Sequence, residues 1–226
     1  MTSAQIERLP HAVHSWLSFQ HACNRAVIFS ESYLSQPIAE FVSVHHSGPI
    51  APERNHPAFA HLNIGRPKQV DFALLTRDLH HFQVVIEAKW IKSARYSKQA
   101  ILDDILRLEC FRQKDTTQHV ARYFLVGGLS EHVQTNFREL NYKATSGKRM
   151  AFTTRLLPFT EAKTKVIDAH ATKGNRRRFF RRFSVAYKVE APKKFKTTLI
   201  KAIDDGVLAV FLWQVASVQN RQSFKP

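Results

Sequence analysis

Apolar residues recur along the chain with two different periods, one typical of helices and one typical of strands. From Ser30 to Val44 they recur every three or four positions, and Ser30 has a side chain suited to capping a helix start, so this segment predicts a helix. Pro37 conflicts with a regular helix, and it predicts either a kink or a later start near Gln36.

A β-hairpin is predicted in the next patterned region. The run VDFALL, which begins at Val70, and the run FQVVIEAKW, which begins at Phe82, are both rich in Val, Ile and Phe, and the polar segment TRDLHH joins them. The second run is almost continuously apolar. It therefore predicts a central strand covered on both faces.

Helix and strand patterns then alternate. The segment from Gln99 to Gln113 has apolar residues on one broad face, with Asp103, Asp104 and Arg107 placed elsewhere, and it predicts an amphipathic helix. ARYFLVGG predicts a strand ending in a glycine turn, and SEHVQTNFREL predicts a helix. The order strand, strand, helix, strand, helix indicates an α/β fold, a central mixed sheet flanked by helices.

The C-terminal part has a less regular pattern. Between Lys143 and Lys201, the apolar segments AFTTRLLPF and FSVAYKV are interrupted by the basic segments TKGNRRRFFRRF and APKKFK. We expect additional strands joined by basic loops there, and a buried strand at VLAVFLWQVA. Since no linker-like segment interrupts the chain, residues 1–226 are expected to form a single domain.

The charge of the chain indicates a class of partner. The chain has 34 Lys and Arg against 18 Asp and Glu, a net charge of +16, which favours a polyanion such as nucleic acid. GNRRRFFRRF interleaves arginines with phenylalanines, which suits phosphate contacts with stacking or burial of the rings; a solvated basic face over core phenylalanines is the alternative. The candidate nucleic-acid-binding residues are Arg176, Arg177, Arg178, Arg181, Arg182, Lys193 and Lys194.

Several other classes of protein are disfavoured. The two cysteines, Cys23 and Cys110, are too few for a disulfide framework or a zinc knuckle, and are expected to be buried apolar residues. The N-terminal segment lacks the apolar core of a signal peptide, and GVLAVFLWQVA is too short to span a bilayer. A cytoplasmic protein without a membrane partner is the expectation.

The candidate chemistry lies in the predicted hairpin. Residues two apart in a strand share a face, so Glu87 and Lys89 project together, and an antiparallel partner strand can bring Asp71 beside Glu87. Isolated charges on a buried sheet face are costly, whereas two carboxylates supply hard oxygen ligands to Mg²⁺ or Mn²⁺. Lys89 could then orient or help to deprotonate a metal-activated water.

These residues resemble the signature of the PD-(D/E)XK nucleases. RPKQVDFALL, with Pro67 and Asp71, matches the first element of that signature, and VVIEAKW, with Glu87 and Lys89, matches the second. Val70 takes the place immediately before the aspartate, where the family often has proline. Glu87 follows Asp71 by 16 positions, a spacing that suits a hairpin.

The resemblance implies further site residues. These nucleases commonly open with a helix whose acidic residue completes the metal site; Glu31 is the first choice here, and Glu40 and Glu53 are the alternatives. The family also places a helix after the motif strand, with polar residues near the site. The candidates for residues that support the motif side chains are Gln99, Asp104 and Arg107.

The resemblance also implies a function. It predicts a restriction-endonuclease-like core and Mg²⁺- or Mn²⁺-dependent hydrolysis of phosphodiester bonds in DNA, in a restriction, phage-defence or mobile-element setting, with a homodimer or a targeting partner protein. It implies no sequence specificity. Two alternatives stay open: an RNA-processing nuclease, and a catalytically inactive nucleic-acid-binding protein on the same fold.

Overall fold

The computed structural model describes residues 1–60, 62, 68–94, 96–111, 119–141, 157–159, 161–169, 175–218 and 223–224. The α-helices in this part of the chain are α1 (Ser3–Ile6), α2 (Leu9–Ala22), α3 (Glu31–His45), α4 (Lys98–Cys110), α5 (Ser130–Asn141) and α6 (Asn175–Tyr187). The strands are β1 (Ile50–Asn55), β2 (Gln69–Leu75), β3 (Phe82–Ile91), β4 (Ala121–Leu129), β5 (Thr164–Asp168), β6 (Ala191–Pro192), β7 (Lys194–Asp204), β8 (Leu208–Ser217) and β9 (Ser223–Phe224). Short 3₁₀ turns span Ala26–Ile28 and Pro57–Phe59.

A seven-stranded mixed sheet organises these elements. Its order is β1-β2-β3-β4-β8-β7-β5, while β6 and β9 form a separate two-stranded ribbon. β3 and β4 are parallel, and α4 is the helix between them in the chain; the other pairs in the large sheet are antiparallel. The predicted α/β class, the mixed sheet and the β2–β3 hairpin are therefore confirmed.

Hydrophobic cores lie on both faces of the sheet. One core packs α2 and α3 against side chains of β3 that include Val84 and Ile86. The other packs α4, α5 and α6 against the opposite face, which includes Val85 and Ile91. The nearly continuous apolar sequence of β3 follows from this arrangement, because both of its faces are covered.

Helix α3 begins where the sequence predicts. The Ser30 side chain accepts a hydrogen bond from the Tyr33 amide at 3.2 Å, and Glu31 is the first helical residue. Pro37 lies inside the helix and is buried, so the alternative of a later start near Gln36 is wrong. Burial of Pro37 in the core offsets the hydrogen bond that its missing N–H cannot make.

The two glycines of β4 lie within the strand and do not form the turn that the sequence predicts. β4 continues to Leu129, and α5 follows at once. A Cβ atom on Gly127 would lie 3.3 Å from Leu34 of α3, and one on Gly128 would lie 2.7 Å from Val133 of α5. The glycines therefore allow helices on both faces to approach the sheet closely.

The prediction of a strand at FSVAYKV is wrong. Phe183 to Tyr187 form the last turn and a half of α6, which begins at Asn175 inside the predicted basic loop. Phe180, Phe183 and Tyr187 are spaced three or four positions apart and are buried, so helical periodicity runs across the boundary that the sequence pattern indicated. Most of AFTTRLLPF lies outside the described residues.

The remaining sequence predictions have mixed outcomes. The strand predicted at VLAVFLWQVA is present as β8. Helix α4 ends at Cys110, short of the predicted end at Gln113, which lies outside the described residues. Cys110 is buried as expected, but Cys23 is exposed, so that prediction is wrong. In the described ranges no helix combines the length and apolar character needed to cross a bilayer.

A buried ion pair fixes α4 to the sheet away from the hairpin. Arg122 of β4 donates to a carboxylate oxygen of Glu109 at 3.0 Å and to its carbonyl at 2.9 Å. Ser217 of β8 donates to the same carboxylate at 3.0 Å. Glu109 and Arg122 are 0% and 4% exposed, so loss of either charge leaves the other buried without this opposite charge beside it.

We expect Glu109→Gln to lower the free energy of unfolding by about 3 kcal/mol, because the Arg122 charge is then left uncompensated where water cannot reach it. Urea unfolding followed by circular dichroism would measure the change. The exposed Glu7→Gln is the control and should alter stability by less than about 0.5 kcal/mol. Equal stabilities for the two variants would contradict a structural role for the pair.

Candidate active site

Asp71 and Glu87 meet where the β2–β3 hairpin opens. The last regular pair before this point is Phe72 with Ile86, so Asp71 lies one position further along, opposite Glu87. The Asp71 carboxylate accepts a hydrogen bond from the Ala88 amide at 2.6 Å. One Asp71 oxygen is thus fixed to the backbone of the motif strand.

Lys89 links this hairpin to two helices. Its ammonium lies 2.9 Å from Glu31, in the first turn of α3, and 3.1 Å from Asp104 of α4. The lysine is only 8% exposed. Glu31 and Asp104, which come from helices packed on opposite faces of the sheet, therefore both hold the Lys89 ammonium.

Asp104 and Arg107 belong to the same network, although the sequence pattern placed them off the buried face of their helix. Asp104 is 3% exposed. Arg107 donates to Glu87 and, at 2.8 Å, to the second oxygen of Asp104. We call the side chains of Glu31, Asp71, Glu87, Lys89, Asp104 and Arg107 the carboxylate cluster.

Two residues missed by the sequence analysis support Arg107. The ring of His56 is buried, and its Nε2 is 2.8 Å from the Arg107 carbonyl, while burial lowers the pKa of this histidine to about 4. A neutral His56 therefore donates from Nε2, because its Nδ1 accepts from the Ala58 amide. The Tyr187 side chain of α6 is hydrogen-bonded to the Arg107 side chain. The sequence analysis misses the contact of Tyr187 because it predicts a strand at FSVAYKV, where the structure has the end of α6.

The carboxylate cluster contains four carboxylates and only two cations, and burial makes this excess of negative charge costly. Burial raises the pKa of Asp71 to about 6. It also raises the pKa of Glu87 well above its usual value, although Arg107 opposes the rise. Burial alone would lower the pKa of Lys89, but the carboxylates of Asp104 and Glu31 outweigh it and raise the pKa above 10.5. Fully ionised, the cluster lacks two positive charges.

Three buried polar atoms of the cluster also lack a hydrogen-bond partner: Oε2 of Glu87, Nε of Arg107, and Oδ2 of Asp104, which makes only the ion pair with Lys89. Arg107 bonds one oxygen of Glu87, whereas the other oxygen is buried without a hydrogen bond. Among the described residues no group of three or more His, Cys, Asp and Glu is arranged to hold a metal ion as it stands. Asp71 and Glu87 nevertheless fit Mg²⁺ or Mn²⁺, because they supply hard carboxylate donors, including the unpartnered oxygen of Glu87. A divalent ion would also balance the two excess negative charges of the cluster.

The other predicted acidic and polar candidates lie further out. Glu40 is exposed on α3, where it accepts a hydrogen bond from Gln36. Glu53 is exposed on β1 and lines an open groove. Gln99 donates to Asp103 at 2.6 Å. Of the three acidic candidates, Glu31 is the one that contacts the motif lysine.

The predicted nucleic-acid-binding residues occupy two places. Arg181 and Arg182 are exposed on α6. Lys194 is also exposed, 3.8 Å from Asp168, and Lys193 is partly buried. The side chains of Arg176, Arg177 and Arg178 lie outside the described part of the chain. The basic segment is therefore a helix at the positions that can be described, and not the expected loop.

Comparison with protein-family models, with curated protein sequences and with solved structures gave no match for this chain. The chemistry of the carboxylate cluster therefore carries the functional assignment.

Proposed function

We propose that this protein is a metal-dependent nuclease of the PD-(D/E)XK type that hydrolyses phosphodiester bonds in DNA. The observation that carries the proposal is the carboxylate cluster itself, in which Asp71, Glu87 and Lys89 converge at the open end of a hairpin. Helix α3, strands β1 to β4 and helix α4 would form its restriction-endonuclease-like core.

The unpartnered oxygen of Glu87 and the carboxylate of Asp71 would hold the divalent ion. A bound Mg²⁺ or Mn²⁺ supplies charge that polarises a phosphate and activates water. Arg107 keeps one oxygen of Glu87 engaged and so leaves the other for the metal. Asp104 holds Arg107 and Lys89 together, which makes it a positioning residue of the site.

Lys89 acts in this proposal as a cation and not as a base. Its raised pKa keeps the ammonium protonated at neutral pH, so it can donate hydrogen bonds but cannot accept a proton. Glu31 and Asp104 fix the ammonium beside the motif carboxylates. From there it can orient water and offset negative charge that develops on the phosphate.

The net charge of +16 supports a polyanionic substrate. DNA is the proposed substrate, in a restriction, phage-defence or mobile-element setting in the cytoplasm. A homodimer or a targeting partner protein would supply paired cuts or specificity. Structured RNA is the alternative substrate, and parallel assays on both nucleic acids distinguish the two.

One observation favours a second candidate, a catalytically inactive nucleic-acid-binding protein. Glu31, Glu87 and Asp104 each contact a cation of the protein itself, so the cluster also resembles a structural ion network. In that case divalent ions would not bind, because the carboxylates already have partners. Metal binding therefore separates the two candidates.

We expect plasmid DNA to be cut in Mg²⁺ or Mn²⁺ and to stay intact in EDTA. Isothermal titration with Mn²⁺ should show a binding site in the wild type that is absent in Glu87→Gln. This variant should also lose cleavage by more than the roughly 10- to 100-fold that follows loss of a residue outside the metal's direct ligands. Glu40→Gln makes the same chemical change at an exposed position and should leave both measurements unchanged. Structured RNA and single-stranded DNA are tested in parallel.

Absence of Mn²⁺ binding in the folded wild-type protein would overturn the nuclease proposal in favour of the inactive binding protein. Cutting of RNA with DNA left intact would replace the proposed substrate and keep the metal site.

A further inference from the structure

Helix α6 presents a basic face to solvent. Arg181 and Arg182 are exposed, and with Val185 and Ala186 they line an open depression of about 400 Å³. Arg181 and Val185, like Arg182 and Ala186, are four residues apart and therefore neighbours on the helix surface. The two arginines thus border the same depression.

The aromatic residues of α6 point the other way. Phe180 and Phe183 are each 1% exposed, and Phe179 packs against the same core. Stacking on bases requires an accessible ring face, which the buried Phe180 and Phe183 do not offer. The described face of α6 therefore has the chemistry to contact phosphates and lacks the chemistry to bind unstacked bases.

This basic face adjoins the carboxylate cluster. The Tyr187 side chain, at the end of α6, is hydrogen-bonded to Arg107, which in turn contacts Glu87. Arg182 precedes Tyr187 by five residues, or about 8 Å along the helix axis. Burial raises the pKa of Asp103 in α4 and Arg182 opposes the rise, so this arginine also lies near α4. A bound backbone would thus lie within a few nucleotides of the cluster.

We propose that the exposed face of α6, centred on Arg181 and Arg182, binds the phosphate backbone of duplex DNA beside the carboxylate cluster. The inference rests on the proposed function for its substrate. Duplex is favoured because each phosphate contact releases more counterion from B-form DNA than from a single strand. Binding through phosphates alone is also independent of base sequence.

The test measures binding without cleavage. Fluorescence anisotropy in EDTA would compare a labelled DNA duplex, its separate single strand and an RNA duplex of equal length. We expect the wild type to bind the DNA duplex most tightly. We expect Arg181→Gln/Arg182→Gln to weaken duplex binding about tenfold, and to reduce the slope of log K against log salt by about 2, since each contact contributes about 0.9.

The matched control is Arg8→Gln/Lys163→Gln, which removes the same charge from exposed positions outside α6. An equal loss of affinity in the control would overturn the proposal, because net charge alone would then explain binding. Tighter binding of the single strand or of the RNA duplex would overturn the choice of DNA duplex. All four substitutions are at exposed positions, and thermal melting would verify that each variant is folded.

Failure of this inference is distinguishable from failure of the proposed nuclease function. If metal-dependent cutting occurs while the α6 variant binds like the wild type, only the binding surface is wrong. If the α6 variant loses binding as expected but wild-type protein never cuts DNA in any metal, only the nuclease is wrong.

Discussion

Lys89→Met should reduce DNA cleavage about 1000-fold, in line with removal of a single positioned stabilising group from an active site. Methionine keeps most of the aliphatic volume of lysine and removes only the ammonium. Asp104 retains Arg107 at 2.8 Å, so α4 stays tied to the cluster through its remaining partner. The rate of plasmid nicking in Mg²⁺ measures the effect.

Lys92→Met is the control for this variant, because Lys92 is exposed directly after β3. It should cut DNA like the wild type. Both variants should bind duplex DNA in EDTA with unchanged affinity, since binding is assigned to α6. Retention of more than about a tenth of wild-type activity by a folded Lys89→Met protein would contradict a catalytic role for the ammonium.

Asp71→Asn should abolish cleavage and yet stabilise the metal-free protein. The pKa of Asp71 is raised by burial from 3.8 to about 6, and about 1.4 kcal/mol accompanies each pKa unit, which corresponds to about 3 kcal/mol. Solvent screening at the partly exposed side chain lowers this to about 2 kcal/mol. The asparagine oxygen can still accept from the Ala88 amide, but it carries no charge to be desolvated.

The gain in stability should depend on pH. The folded protein holds the Asp71 proton more tightly than the unfolded chain, so this carboxyl stabilises the fold below about pH 4 and loses that contribution as pH rises through 6. The variant should therefore match the wild type near pH 4 and exceed it by about 2 kcal/mol at pH 8. Urea unfolding of both proteins in EDTA measures the difference.

His56 also makes the free energy of unfolding depend on pH, with the opposite sign to Asp71. Its contribution cancels when the wild type and Asp71→Asn are compared, because both proteins contain this histidine. Its folded pKa of about 4 lies below the ordinary 6.5, so protonation of the unfolded chain destabilises both proteins as pH falls through this window. Mn²⁺ should raise the melting temperature of the wild type and not that of Asp71→Asn. A less stable Asp71→Asn protein at pH 8 would show that the carboxylate is a structural group.

Much of the N-terminal half could be predicted from local pattern. The cap at Ser30, the hairpin and the amphipathic α4 are each encoded within a few neighbouring residues. The alternation of β3 also placed Glu87 and Lys89 on one face. These features depend on backbone geometry and solvent exclusion, which repeat from protein to protein.

The unpredicted features depend on contacts between distant segments. The sequence pattern places Asp104 off the buried face, because an aspartate in an apolar helix is ordinarily solvated. In the structure its contacts with Lys89 and Arg107 make its burial tolerable. The sequence pattern predicts a loop and a strand where α6 lies, because the arginines of this helix obscure the spacing of its buried rings. Without this helix, the hydrogen bond between Tyr187 and Arg107 cannot be predicted.

Lys89 joins two layers that a seven-stranded sheet otherwise separates, since Glu31 comes from the α2–α3 side and Asp104 comes from the α4–α6 side. The geometry of the site therefore depends on packing on both faces of the sheet. Gly127, which lets α3 approach β4, influences where Glu31 stands without touching any reacting group. Substitutions at small residues of the inner strands should therefore be tolerated as poorly as substitutions at the charged residues, because both would move the Lys89 ammonium.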